Sequence, residues 1–198
     1  MIAGEGWPWL VVAATCGISI AWYWGLLWAS PVAVLCLLLF LLFRDPGRSI
    51  PPLPLAIVAP IDGLITQIVH DADATLPGDW IKISIKTNHF GAYTVRSPIE
   101  GAIHDVREQS NRLDAPSGLW VRSEEQDDVV LLFPGDGRGF APKSFVRYGE
   151  RVGQGQRFAY LRLAPRAEVY LPANAEICQQ EGMRVRAGAS ILAELAPK

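Results

Sequence analysis

Between Gly6 and Phe43 the sequence carries no charged residue, a run of 38, and all 18 Lys and Arg follow it. That absence excludes an ordinary water-facing helix from the first quarter of the chain. Cysteine is scarce: Cys16 and Cys36 lie within the run and Cys178 far from both. Their spacing matches no zinc or redox pattern, which argues against a disulfide framework and leaves them as small apolar residues. His70 and His104 have no acidic or cysteine neighbours at ligand spacing, so no metal site is expected. The formal net charge is −2, which gives no argument for nucleic acid as a partner. After residue 50 no long amphipathic helix stands out.

What the run offers instead is apolar length. A spanning helix needs about 20 apolar residues, and Trp7–Trp28 supplies them before Ala29-Ser30-Pro31, where proline suits the first turn of a new helix. Val32–Phe43 is shorter, about 18 Å of helix. Trp7, Trp9, Trp22, Trp24 and Trp28 gather towards the ends of the first segment, as in aromatic belts, and Arg44 and Arg48 follow the second. These features predict a transmembrane helical hairpin over residues 1–45, with both ends cytoplasmic. The lipid bilayer would then be a partner, in the cytoplasmic (inner) membrane, with the remainder of the chain on the cytoplasmic side. A single span with a re-entrant second segment is the alternative. A cleavable signal peptide is disfavoured, because only Glu5 precedes the run and the run is too long.

Residues 46–56 read as a proline-rich linker, and 57–198 as an all-β domain. Alternation predicts strands at Trp80–Ile85, Val129–Phe133, Phe158–Leu163 and Glu168–Leu171. Two internal repeats organise the domain. Ala59-Pro-Ile-Asp-Gly-Leu-Ile65 returns as Ser97-Pro-Ile-Glu-Gly-Ala-Ile103, and Gly149-x-x-Val152-x-x-Gly155-x-x-Phe158 returns as Gly182-x-x-Val185-x-x-Gly188-x-x-Ile191. Such paired turns resemble the barrel-sandwich folds of lipoyl and biotinyl carriers. No lysine sits in either repeat, so a carrier function is not expected.

Three stretches carry a family resemblance. They are Phe43-Arg-Asp-Pro-Gly-Arg48, Pro60-Ile-Asp-Gly63 and Arg157-Phe-Ala-Tyr-Leu-Arg-Leu-Ala-Pro-Arg-Ala-Glu-Val-Tyr-Leu-Pro172. Together they resemble the short, membrane-attached form of phosphatidylserine decarboxylase, whose fold is itself similar to the barrel-sandwich. In that family a Gly-Ser pair in the last stretch is the self-cleavage site, and the serine becomes a pyruvoyl electron sink. Here Ala164-Pro165 stands in its place, and no Gly-Ser dipeptide occurs elsewhere. Self-cleavage needs a hydroxyl at position 165, and proline has none. The family's Asp-x-His-x-x-Arg-x-Pro reads Gly91-Ala-Tyr93-Thr-Val-Arg96-Ser-Pro98, with glycine and tyrosine at the aspartate and histidine positions. A tyrosine, with a reference pKa near 10, is a poor base near neutral pH. His89 is a distant substitute. Asp62, the family's helper to the histidine, reads in isolation as a turn residue.

The resemblance therefore implies degenerate positions at Asp62, Gly91, Tyr93, Ala164 and Pro165, with no catalytic residue, pyruvoyl group or metal expected. Arg138, Lys143, Arg147, Arg151, Arg157, Arg162 and Arg166 stand against Glu150 alone over the same span. Anionic headgroups could use such charges at about 1 kcal/mol each, or Glu124, Glu125, Asp127 and Asp128 neutralise them. Arg44, Arg48, Arg96, Arg147 and Arg166 are the candidates for contact with an anionic phospholipid or partner. The functional expectation is a catalytically inactive member of this family, acting as a structural or binding subunit beside another integral membrane protein. The alternative is an aminophospholipid decarboxylase, and a third reading is lipid binding without turnover.

Overall fold

The computed structural model describes residues 2–4, 6–72, 78–88, 90–104, 118–134, 143–161 and 164–196. The chain forms two compact units, Met1–Gly47 with His89–Tyr93, and Arg48–Asn88 with Thr94–Lys198.

In the first unit the apolar run folds as α1 (Gly6–Trp24) and α2 (Leu26–Leu42). The break falls at Gly25, whose φ of +91° is open to glycine and strained for other residues. This corrects the expected division at Ala29-Ser30-Pro31, because Pro31 lies inside α2. Proline removes the N–H that the Leu27 carbonyl would accept, and the Ser30 hydroxyl donates to that carbonyl at 2.8 Å instead. Cut at Gly25, the run yields helices of 19 and 17 residues. Neither is long and apolar enough to cross a membrane, so the predicted transmembrane hairpin is overturned. The break comes earlier than expected, so the first helix is cut short at Trp24, while the second, though longer than Val32–Phe43, still falls short of the required length. In α1 the stretch is diluted by Thr15 and Ser19, whose hydroxyls turn back onto helix carbonyls. The hairpin still leaves large apolar side chains uncovered within its unit, Trp22 at 85% exposure and Leu27 at 87%.

The second unit is mostly β and antiparallel throughout. In chain order its strands are β1 (Ala56–Val58), β2 (Gly63–Ala72), β3 (Trp80–Thr87), β4 (Thr94–Arg96), β5 (Gly101–His104), β6 (Gly118–Arg122) and β7 (Asp128–Leu132). They continue with β8 (Lys143–Ser144), β9 (Arg151–Val152), β10 (Arg157–Tyr160), β11 (Arg166–Pro172), β12 (Glu176–Ile177), β13 (Arg184–Val185) and β14 (Ile191–Glu194). The strands that alternation predicted are present, with their ends shifted. Among the described residues three sheets form, in the orders β1-β14-β12, β4-β10-β8 and β13-β2-β3-β11-β7-β6-β5-β9. In place of the fold class expected from sequence, the chain has two short helices followed by several antiparallel sheets.

Strand alternation gives the large sheet two faces. One face, with Ile81, Ile83, Ile85, Val129, Leu131, Val169 and Leu171, joins Phe158 and Leu192 in the main core. The other carries a smaller cluster of Trp80, Trp120, Val130, Leu132 and Tyr170.

The sequence repeats are structural repeats. Gly63 pairs with Val185, and Gly101 pairs with Val152. The repeat glycines match in φ: +84° at Gly149 and +83° at Gly182, then +68° at Gly155 and +69° at Gly188. Hydrogen bonds match as well. Gly188 donates to Ala59 at 2.7 Å, as Gly155 does to Ser97 at 2.8 Å. A Cβ on Gly63 would lie 2.3 Å from the Lys86 carbonyl oxygen, and one on Gly101 would lie 2.1 Å from that of Arg122. β2–β3 with β13 is thus a copy of β5–β6 with β9.

Candidate functional site

The turn that feeds β2 places Asp62 at 7% exposure. One carboxylate oxygen accepts from Arg48 at 2.8 Å, and the other accepts the backbone N–H of Ala187 at 2.7 Å. Asp62 is therefore more than a turn former. It ties the start of the linker to the repeat loop that contains Gly188. Arg48, predicted as a headgroup contact, is half-buried and spends its guanidinium on this carboxylate. That pairing was missed from sequence, since nothing in 14 residues of separation announces it.

Ala164 and Pro165 lie just before β11. Ala164 is buried and its N–H donates to Leu161, whereas Pro165 is exposed. The Pro165 carbonyl accepts the N–H of Thr87 at 3.0 Å, which sets the end of β3 beside it. Asn88 donates its N–H to the Asp62 carbonyl at 2.9 Å. Residues 87 and 88 thus link the turn of Asp62 to the position of Pro165. A groove of about 350 Å³ opens here, lined by Gly63, Leu64, Lys86, Thr87, Asn88 and Arg184. Lys86, Thr87 and Arg184 were not singled out by sequence, because only strand register brings them together.

Gly91 and Tyr93 belong to the first unit. The Tyr93 ring meets Phe43 edge-on at 4.8 Å, and its N–H donates to the Arg44 carbonyl at 3.1 Å. His89 lies outside the described residues. His70 is exposed on β2, and His104 stacks on Trp120 at 4.7 Å. Among the described residues no group of three potential ligands is placed to hold a metal.

The predicted contact arginines are distributed unevenly. Arg96 is 5% exposed and donates to the Gly155 carbonyl at 3.0 Å, a structural role in place of the expected headgroup contact. Arg44, Arg147 and Arg166 are exposed. Arg151, counted with the basic run, reaches Glu124 at 2.5 Å and Glu100 at 3.8 Å. Arg138 and Arg162 lie outside the described residues, as does the side chain of Lys143.

Electrostatics at Tyr170 is set by its surroundings. Burial holds its phenol proton well above the usual range, helped by the charge of Glu168, which accepts the hydroxyl at 3.1 Å. Arg122 on β6 donates to the Asp128 carboxylate on β7, which raises the pKa of the guanidinium.

A pyruvoyl group does not fit the residues present. Such a group is made from a serine of the chain, and Pro165 has neither a hydroxyl nor an amide hydrogen.

No family model matches the sequence. Curated relatives match along its full length. The phosphatidylserine decarboxylase proenzyme of Nitrosomonas eutropha is 32% identical over 208 residues, covering 98% of this chain and 95% of the relative. The proenzyme of Cupriavidus taiwanensis is 31% identical over 210 residues, covering 100% and 97%. That of Burkholderia vietnamiensis is 31% identical over 206 residues, covering 98% and 96%. Glucose permease IIA from Mycoplasma capricolum superposes with a TM-score of 0.48 at 16% identity, over 70% of this chain and 94% of that one, a likeness too slight to argue from. Identity of 31–32% over 98–100% of the chain means that the protein belongs to the phosphatidylserine decarboxylase family.

Proposed function

We propose that the protein acts in phospholipid metabolism on an aminophospholipid of the phosphatidylserine class, with decarboxylation of the headgroup as its reaction. The observation that carries this reading is identity of 31–32% over 98–100% of the chain to relatives named for that reaction. A lipid surface is the partner it implies, and the uncovered Trp22 and Leu27 of the hairpin suit one. Loss of carbon dioxide leaves an electron pair on the headgroup carbon, which needs an acceptor. Pro165 cannot supply one, so the acceptor would have to come from outside this chain.

Position 165 favours a second reading, in which an unbroken chain binds the same headgroup without turnover. Two measurements on the purified full-length protein separate the two. Intact mass tells whether the chain stays whole near 21.7 kDa. Carboxyl-labelled phosphatidylserine in vesicles tells whether labelled carbon dioxide is released. Release is expected under the first reading, and its absence from a protein that still retains the lipid leaves the second.

A further inference from the structure

The duplicated halves of the β unit differ in the charges on one row of the large sheet. In the β5–β6 half the row crosses the strands as Arg151, Ala102, Arg122 and Asp128. Both cations there meet carboxylates, Arg122 with Asp128 at 2.7 Å and Arg151 with Glu124 at 2.5 Å. In the β2–β3 half the equivalent row reads Arg184, Leu64, Lys86 and Arg166. The place of Asp128 is taken by an arginine directly across from Lys86. All three cations are exposed, and among the described residues none of them forms an ion pair. Glu168, two residues along β11 on the same face, is engaged by the Tyr170 hydroxyl.

Like charges facing each other across a strand pair destabilise a sheet. The first half keeps such a pair where the second half has an ion pair, so an external anion is the missing counter-charge. The groove over Lys86 and Arg184 has room for one.

We propose that Lys86, Arg166 and Arg184 form a site for a phosphate-type oxyanion, either the phosphodiester of a lipid headgroup or free phosphate. Guanidinium forks and an ammonium suit such an oxyanion. The position beside Pro165 puts the bound anion next to the segment in which the relatives are processed. Only the choice of a lipid as source rests on the reading above; the oxyanion chemistry does not.

The test uses the full chain with three probes: inorganic phosphate, glycerophosphoserine, and phosphatidylcholine vesicles with and without phosphatidylserine. Saturable shifts of amide resonances on β2, β3 and β13 are expected with one or both soluble probes. The variant K86Q/R166Q/R184Q should bind about a hundredfold more weakly, at about fivefold per cation. R186Q, at an exposed arginine outside the row, should bind as the parent does. Because the triple change removes like-charge repulsion, its melting temperature should rise, which shows that it folds. Binding to inorganic phosphate alone assigns the site to free phosphate, and binding to glycerophosphoserine or phosphatidylserine vesicles assigns it to the headgroup. No saturable binding by the parent protein, or equal binding by the triple variant, overturns the proposal. A protein that binds phosphate through this row yet releases no carbon dioxide loses the reaction and keeps the site. A parent protein that releases carbon dioxide yet binds none of the probes saturably keeps the reaction and loses the site.

Discussion

The carboxylate of Asp62 lies 2.8 Å from the guanidinium of Arg48, with the Asp62 side chain at 9% exposure and that of Arg48 at 18%. Breaking a pair this deep strands the remaining charge, and here it also orphans the Ala187 N–H. Asp62→Ala should therefore cost about 3 kcal/mol, and Asp62→Asn, which keeps an acceptor, about half of that. Urea unfolding at constant m-value reads both. Equal stability of Asp62→Ala and the parent protein would show that the pair is decorative.

The two hairpins predict a matched pair of effects. Gly63→Ala and Gly101→Ala each drive a methyl group into a carbonyl oxygen of the neighbouring strand, at 2.3 and 2.1 Å. Backbone cannot yield as a side-chain tip does, so each should cost about 3 kcal/mol. If one of the two variants melts with the parent while the other fails, the halves are not mechanically equivalent.

Tyr170 predicts an alkaline limit to stability. Its phenol keeps its proton in the folded state to higher pH than in the unfolded chain, so the unfolded state binds fewer protons above pH 10. Stability is fully present below the ordinary tyrosine value and falls as pH rises past it, by about 1.4 kcal/mol per pH unit. Tyr170→Phe should flatten that portion of the curve. A slope unchanged in Tyr170→Phe would assign the loss to other groups.

Cys178 predicts sluggish alkylation. Cys178 is exposed, yet the partial loss of water around its thiol raises its pKa first, and Glu194 and Glu176 raise it further. Those two glutamates face each other across the β12–β14 pair. Changing either to glutamine should shift the pH midpoint of reaction with iodoacetamide downwards and raise stability by a few tenths of a kcal/mol. A midpoint that stays put would leave burial as the sole cause.

Much of the β unit was legible because its signals are local. Repeated glycines and prolines report backbone angles at single positions, and strands such as Trp80–Thr87 write their two faces into alternate residues. The helical run was misread for a different reason. Pro31 is the louder breaker in sequence, but a hydroxyl one residue away covers the acceptor it strands, while Gly25 breaks the helix by adopting an angle that no neighbour announces. The candidate site was legible at Asp62 and Pro165 only. Arg48 meets Asp62, and Lys86 meets Arg166, through folding and register over 14 and 80 residues, a relation that no spacing rule captures.

The copied hairpins also separate ancestry from duty. Gly101 sits in the half whose turn carries the exposed Glu100, yet it makes the same close approach as Gly63. The glycine of a Pro-x-Asp-Gly signature is therefore required by the close approach of the neighbouring strand in both copies and by itself says nothing about chemistry. The acidic residue before it is where the copies part: Asp62 is buried and ties Arg48 to the Ala187 N–H, whereas the longer Glu100 stays at the surface.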